Sequence, residues 1–340
     1  MGTASFRNLI ELPKVDLHVH LEGSMRASTV MQLAARHRVE LPEGFLEGRY
    51  EFRDFQHFVD QYVAGLRCLR EPADFRRVAY EFCEDEAAQG VRYAEVSFSL
   101  PEHAPRLGDW DRPLIAVLEG FAEGRRDFGI QCRPYVDVVR GLGLDVSRLA
   151  MESAVRHRHD GVLGVGLGGS ERFAPEPYAG IFRRAIDSGL HSLPHAGETA
   201  GPESIRSALD ALVAERVGHG IRALEDDELV AELRERRIPL EVCPTSNVRT
   251  RVVGSIEEHP LPRLLEAGLL VTLNSDDPAM FSSPISGEYE LARRVFGLDD
   301  GALADLARAG VRASFADHET RAATERDIDA WLVAPADSAR

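Results

Sequence analysis

GLHSLPHAGETAGPES, residues 189–204, is the stretch whose reading decides the fold. Residues 190–195 form a short apolar run ending in His195, and read as a buried strand. TAGPES then reads as a loop that opens a helix over residues 203–212. His195 and Glu198 sit at the junction, where a strand exit faces whatever lies above the sheet. A histidine and a glutamate placed there suit a metal ligand beside a proton donor. They suit a solvated loop equally well, so the rest of the chain has to decide.

The same strand–loop–helix unit recurs in both directions. Upstream, strands at 162–167, 131–139 and 91–99 are followed by helices at 177–188, 145–157 (with Asp145 as N-cap) and 112–128. Downstream, strands at 216–220, 239–244 and 269–275 are followed by helices at 226–236, at 261–267 and, after the last strand, through 317 and beyond. VDLHVHL, residues 15–21, supplies the first strand, and 25–38 a helix. Between about 41 and 90, Phe52, Phe55, Phe58, Tyr62, Leu66 and Leu69 recur at helical spacing, as do Phe75, Val78, Tyr80 and Phe82. That segment reads as two or three helices inserted after strand one. Eight strands alternating with helices predict an α/β fold, a (β/α)8 TIM barrel. Residues 1–340 form a single domain, with the helical insertion and extra C-terminal helices. The alternative, an open doubly wound sheet, calls for a glycine-rich phosphate loop after strand one, and HVHLEGS is not one. VGLGGSE, residues 165–171, lacks GxGxxG spacing and reads as a tight turn.

Composition narrows the function. The formal charge of −16 leaves no electrostatic footprint for nucleic acid or an anionic membrane. Cys68, Cys83, Cys132 and Cys243 have neither zinc-knuckle nor CxxC spacing, which fits a reduced compartment. The N-terminal sequence lacks the order of a signal peptide, and no apolar run approaches the ~20 residues that span a bilayer. A cytoplasmic protein acting on a small molecule is expected. Lys14 is the sole lysine and precedes strand one, at the far rim of a barrel. That excludes a two-metal site bridged by a modified lysine, and a Schiff-base aldolase. One metal per subunit is expected.

In a barrel the C-terminal ends of all strands meet at one face, so residues distant in sequence become neighbours. His18 and His20 end strand one, on one side of it. His195 ends strand five with Glu198 beyond it, His219 ends strand six, and Asp276 and Asp277 end strand eight. Each piece alone has a plain alternative: a polar surface strand, a core histidine, or a cap before Pro278. Together, three imidazole nitrogens and a carboxylate oxygen suit Zn²⁺, leaving Glu198, His219 and Asp277 to move protons beside it.

PKVDLHVHLEGS, VGLGGSE, HAGE, RVGHG, CPTSNV and LNSDDPAMF, in this order, closely resemble the adenosine and adenine deaminase family of metal-dependent hydrolases, over residues 12–320. The resemblance implies that His18, His20, His195 and Asp276 bind zinc and that Glu198 protonates N1 of an adenine. It implies that His219 and Asp277 orient and deprotonate the water that attacks C6. Asp277 would also meet N7, and the Gly169 backbone the N1/N3 edge.

Departures from the family bear on the substrate. Adenosine enzymes tend to read HLDG where this chain has His20-Leu21-Glu22-Gly23, the aspartate meeting the ribose 5′-hydroxyl, so Glu22 would re-aim that contact. They tend to read DLAGDE where this chain has GLGGSE, losing acids at Gly166 and Ser170 and leaving a less negative mouth. Adenine deaminases share HLEG but tend to have SNVKL in place of SNVRT. The mixture looks most like bacterial enzymes that deaminate aminodeoxyfutalosine in menaquinone biosynthesis, and Arg92 is a candidate partner for that substrate's carboxylate. Adenosine and free adenine are the alternative substrates. A metal hydrolase opening an amide or ester, and a non-catalytic purine-binding protein, are the competing classes. The last of these would be expected to lack a ligand or the acid, and neither is missing.

Overall fold

A computed structural model of the chain describes residues 6–42 and 51–334. Among them lie eight strands: β1 (Lys14–His20), β2 (Val91–Phe98), β3 (Gln131–Val139), β4 (Gly164–Gly168), β5 (His191–Ala196), β6 (Val217–His219), β7 (Leu240–Val242) and β8 (Val271–Leu273). They pair in parallel, in sequence order. Closure between the last strand and the first comes just past β8, where the His20 N–H donates to Asp276 O at 2.8 Å and the Asp276 N–H to His18 O at 3.0 Å. The Asn274 side chain accepts the Leu17 N–H at 3.0 Å and completes the seam. The expected TIM barrel is the fold found.

On β1, Leu17, Val19 and the following Leu21 are buried on one side under the helices, while His18 and His20 face the barrel interior. Three helices separate β1 from β2: Ala27–His37, Phe55–Leu66 and Pro72–Ala88. Pro72–Ala88 starts at a proline that needs no N–H partner, behind a Glu71/Asp74 capping box. It packs beside the helix Arg112–Phe128, and glycine at 120 permits the close approach: a Cβ there would lie 2.7 Å from the Ala79 Cβ. It is therefore the ring helix of the first β/α unit. Phe55–Leu66 is the segment that stands over the strand ends. Residues 43–50, part of the expected insertion, lie outside the described residues.

Two local expectations are corrected. Gly143 occupies the N-cap of the helix Leu144–Arg156, and Asp145 lies in its first turn. A helix not anticipated, Leu100–Leu107, follows β2, because Pro101 and Pro105 mask its periodicity. After β8, Asp300–Ala313 packs on β8 and β1 as the ring helix, with His318–Val333 beyond it. Lys14 lies at the N-terminal rim, its ammonium donating to Leu9 O at 2.8 Å and Gln89 O at 2.6 Å. No helix among the described residues is long and apolar enough to cross a membrane.

Candidate active site

The strand ends meet around one cavity. His20, His195, Glu198, His219, Asp276 and Asp277 line it, and Phe55, Phe58, Val59, Tyr62 and Val63 form an overhanging wall. His18 lies beneath, fully buried. Donor atoms of His18, His20 and His195 lie within 4.8 Å of one another. The Nε2 atoms of His20 and His195 are 3.3 Å apart, and Asp276 Oδ1 lies 3.3 Å from His20 Nε2 and 3.7 Å from His18 Nε2. His18 Nε2 is buried without a hydrogen-bond partner. A buried nitrogen left without a partner is costly, and a cation relieves that cost. Burial alone would lower the His20 pKa, yet Asp277, Asp276 and Asp137 hold it up at about 10. The pocket thus draws positive charge, and three imidazoles with one carboxylate fit a zinc-type ion.

Glu198, His219 and Asp277 surround this cluster. His219 Nε2 lies 3.8 Å from Glu198 Oε2 and 3.9 Å from Asp276 Oδ2, while its Nδ1 meets the Asn247 amide at 3.3 Å. Burial, then the charges of Asp276, Glu171 and Asp277, push the Glu198 carboxyl well above the usual range, so it holds a proton to give. Burial lowers His219 to about 4, leaving a neutral imidazole. Burial and adjacent Asp276 raise Asp277 well above its ordinary value. His219 and Asp276 adopt positive φ, at 61° and 62°, a conformation uncommon for non-glycine residues. Gly218 makes room for the His18 ring, because a Cβ there would lie 2.6 Å from His18 Cε1.

Gly169 lines the cavity, with φ 86°. Two expected substrate contacts are corrected. Arg92 sits near the start of β2 with a half-exposed side chain 3.9 Å from Asp327, and does not line the cavity. Glu22 is buried behind it, accepting from His103 at 2.8 Å, the Ser99 N–H at 3.0 Å and the Tyr62 hydroxyl at 3.2 Å. At Gly166 the space for an acid is already taken. Asp137, on β3, lines the cavity, and a side chain at Gly166 would collide with its carboxylate. The acid absent at 166 is supplied from the neighbouring strand.

Other residues that hold the cavity lining in place escaped the sequence reading. Glu171 accepts the N–H groups of Gly197, Glu198 and Thr199 at 2.7–2.8 Å, holding the HAGE loop. Arg140, nearly buried, donates to His195 O at 2.9 Å and Gly169 O at 3.3 Å, tying β5 to the loop after β4. Glu241 accepts from His18 Nδ1 at 2.9 Å.

The adenosine deaminase family profile matches residues 13–331. An aminodeoxyfutalosine deaminase from Streptomyces coelicolor is 43% identical over 332 residues, 95% of this chain and 85% of the relative. The adenine deaminase of Arthrobacter aurescens superposes with a TM-score of 0.90 at 34% identity, over 95% of this chain and 99% of that one. A zinc-bound amidohydrolase from Burkholderia ambifaria superposes with a TM-score of 0.88 at 29% identity, over 95% and 92%. The match spans nearly the whole barrel and includes every strand end that builds the cavity, and the chain belongs to the adenosine deaminase family of hydrolytic deaminases.

Proposed function

We propose that this enzyme uses one zinc ion per subunit to hydrolyse the 6-amino group of an adenine nucleoside. Its preferred substrate on this reading is 6-amino-6-deoxyfutalosine, giving futalosine and ammonia. The observation that carries the reading is the meeting of a protonated Glu198, His219 and Asp277 with the His18, His20, His195 and Asp276 donors in one cavity. Those four donors would hold the metal, which when bound lowers the pKa of a water toward 7.

The chain's own residues supply the remaining chemistry. Glu198 gives its proton to ring N1, so that water oxygen adds to C6 without negative charge building on the ring. His219 and Asp277 orient that water and carry its proton to the exocyclic nitrogen. The C6–N6 bond then breaks, ammonia leaves, and the proton remaining on the C6 oxygen returns to Glu198 as the carbonyl forms. The Gly169 backbone is placed for the N1/N3 edge.

Two features favour a nucleoside with an apolar 5′ extension. The wall formed by Phe55, Phe58, Val59 and Val63 offers cover for an aromatic group. Glu22 is committed to His103, Ser99 and Tyr62 and is not spare for a 5′-hydroxyl. Two relatives at 43% and 41% identity carry the aminodeoxyfutalosine deaminase name. Ammonia release is to be compared for aminodeoxyfutalosine, 5′-deoxyadenosine, adenosine and free adenine. The first is expected to be turned over with the highest kcat/KM. A strong preference for adenosine, or activity on adenine alone, overturns the substrate assignment.

A further inference from the structure

Four fully buried side chains run in a line from the strand-end cavity toward the opposite rim of the barrel. His18 Nδ1 meets Glu241 Oε2 at 2.9 Å. Glu241 Oε1 accepts from Arg216 Nε at 2.5 Å, and a second Arg216 nitrogen donates to Glu95. Glu95 also accepts the Phe315 N–H at 2.7 Å, and Arg216 donates to Ala313 O at 3.0 Å. The Arg216 guanidinium lies 4.4 Å from the centre of the Phe315 ring. None of the four residues is more than 1% exposed.

A buried triad of two carboxylates and one guanidinium is poor value for stability, because desolvating three charges roughly cancels their attraction. Its placement suggests another use. Glu241 accepts the Nδ1 proton of His18, which leaves the Nε2 lone pair facing the cavity, where that atom has no protein partner. A carboxylate behind a ligating histidine fixes its tautomer and ring orientation and raises its basicity. Arg216 divides its charge between Glu241 and Glu95, so Glu95 decides how much negative charge Glu241 keeps. The far end is fixed by the chain segment 313–315, which directly follows the last ring helix.

We propose that Glu95 and Arg216 are positioning residues that act through Glu241 to set the affinity of His18 for the metal. The proposal rests on the reading of His18, His20, His195 and Asp276 as the metal-holding set. Replacing Glu95 by an amide leaves Arg216 to neutralise Glu241 alone. The carboxylate behind His18 then withdraws less from the imidazole proton, and metal affinity falls although Glu95 touches no ligand.

The test is a competition titration of metal-free protein with Zn²⁺ and a chromophoric chelator, alongside the visible absorption of the Co²⁺-loaded protein. Glu95→Gln is expected to weaken Zn²⁺ binding about tenfold or more and to shift the Co²⁺ bands. Asp74→Asn removes a buried carboxylate that pairs with His37 and with the exposed Arg36 outside the cavity, and is expected to lower Tm without changing either readout. If Glu95→Gln lowers Tm and leaves Zn²⁺ affinity at the wild-type value, the relay is structural and the proposal is wrong. Should Glu95→Gln fail to fold, Arg216→Lys is read by the same titration, where a changed affinity supports the relay and an unchanged affinity overturns it. Wild-type protein that binds no Zn²⁺ is a different failure, that of the metal site itself.

Discussion

Glu171 accepts the backbone N–H of Glu198 at 2.8 Å, so the loop that carries the proposed acid is anchored by a carboxylate from another strand's loop. Burial would raise Glu171, but Ser204, Arg140 and the N–H groups of Thr199 and Gly197 hold it below its ordinary value. Glu171→Gln turns one acceptor into a donor that faces other donors. Loss of about 1–3 kcal/mol of stability is expected, with kcat falling more than KM rises and zinc retained. Thermal unfolding, steady-state kinetics and metal content check it. An unchanged kcat would show that the loop needs no such anchor.

Glu198→Gln keeps the shape of the acid and removes its proton. Activity on any adenine nucleoside is expected to drop roughly 10²–10⁴-fold while metal content stays at the wild-type level. Ammonia release and metal analysis on the same preparation separate the two effects. Full activity in this variant would reject Glu198 as the donor to N1.

Most of the barrel was legible because each strand ends in a glycine, proline or polar turn and most helices show an apolar stripe, Leu100–Leu107 being the exception. His18, His20, His195, His219 and Asp276 were legible for a geometric reason: strand ends share one rim, so position within a strand stands in for position in space. The interior charges were not. Glu95, Arg216 and Glu241 lie in VRYAEVSFS, RVGHG and PLEVCP, where a charged residue reads as the solvent face of an alternating strand. Only closure of the sheet turns that face inward. A usable signal existed, since strands of an all-parallel sheet are covered on both sides and a charge within one must find a partner. Arg92, on the same strand as Glu95, breaks that rule because it sits near the strand's open end.

Glu288 provides a stability test at a residue outside the proposed metal-holding set. Its carboxyl is buried, accepts the Thr245 N–H at 3.1 Å, and is pushed by burial to about 7. The native state therefore holds this proton between pH 4.5 and 7 while the unfolded chain releases it. Stability is lost as pH rises across that window and stays lowered above it. Glu288→Gln removes the titration. It is expected to match wild type near pH 4.5 and to exceed it at pH 8 by up to about 3 kcal/mol. Denaturant unfolding at the two pH values measures the difference; equal stabilities at pH 8 would place the carboxyl's pKa near its ordinary value.

Arg92 and Phe58 separate two accounts of how the 5′ group is bound. If a salt bridge from β2 held a substrate carboxylate, Arg92→Ala would raise KM for aminodeoxyfutalosine. Its guanidinium instead lies near Asp327 on the C-terminal helix, outside the cavity, and the variant is expected to keep wild-type kcat and KM. Phe58 lines the cavity and packs edge-on or tilted against Phe52, Phe55 and Phe281, which makes it part of a rigid aromatic wall. Phe58→Ala is expected to raise KM for the 5′-extended nucleoside about tenfold, the equivalent of ~1.4 kcal/mol, and to leave KM for free adenine nearly unchanged. An equal loss on both would mean that the wall serves the purine and not the extension, and the apolar 5′ contact would have to be sought elsewhere on the rim.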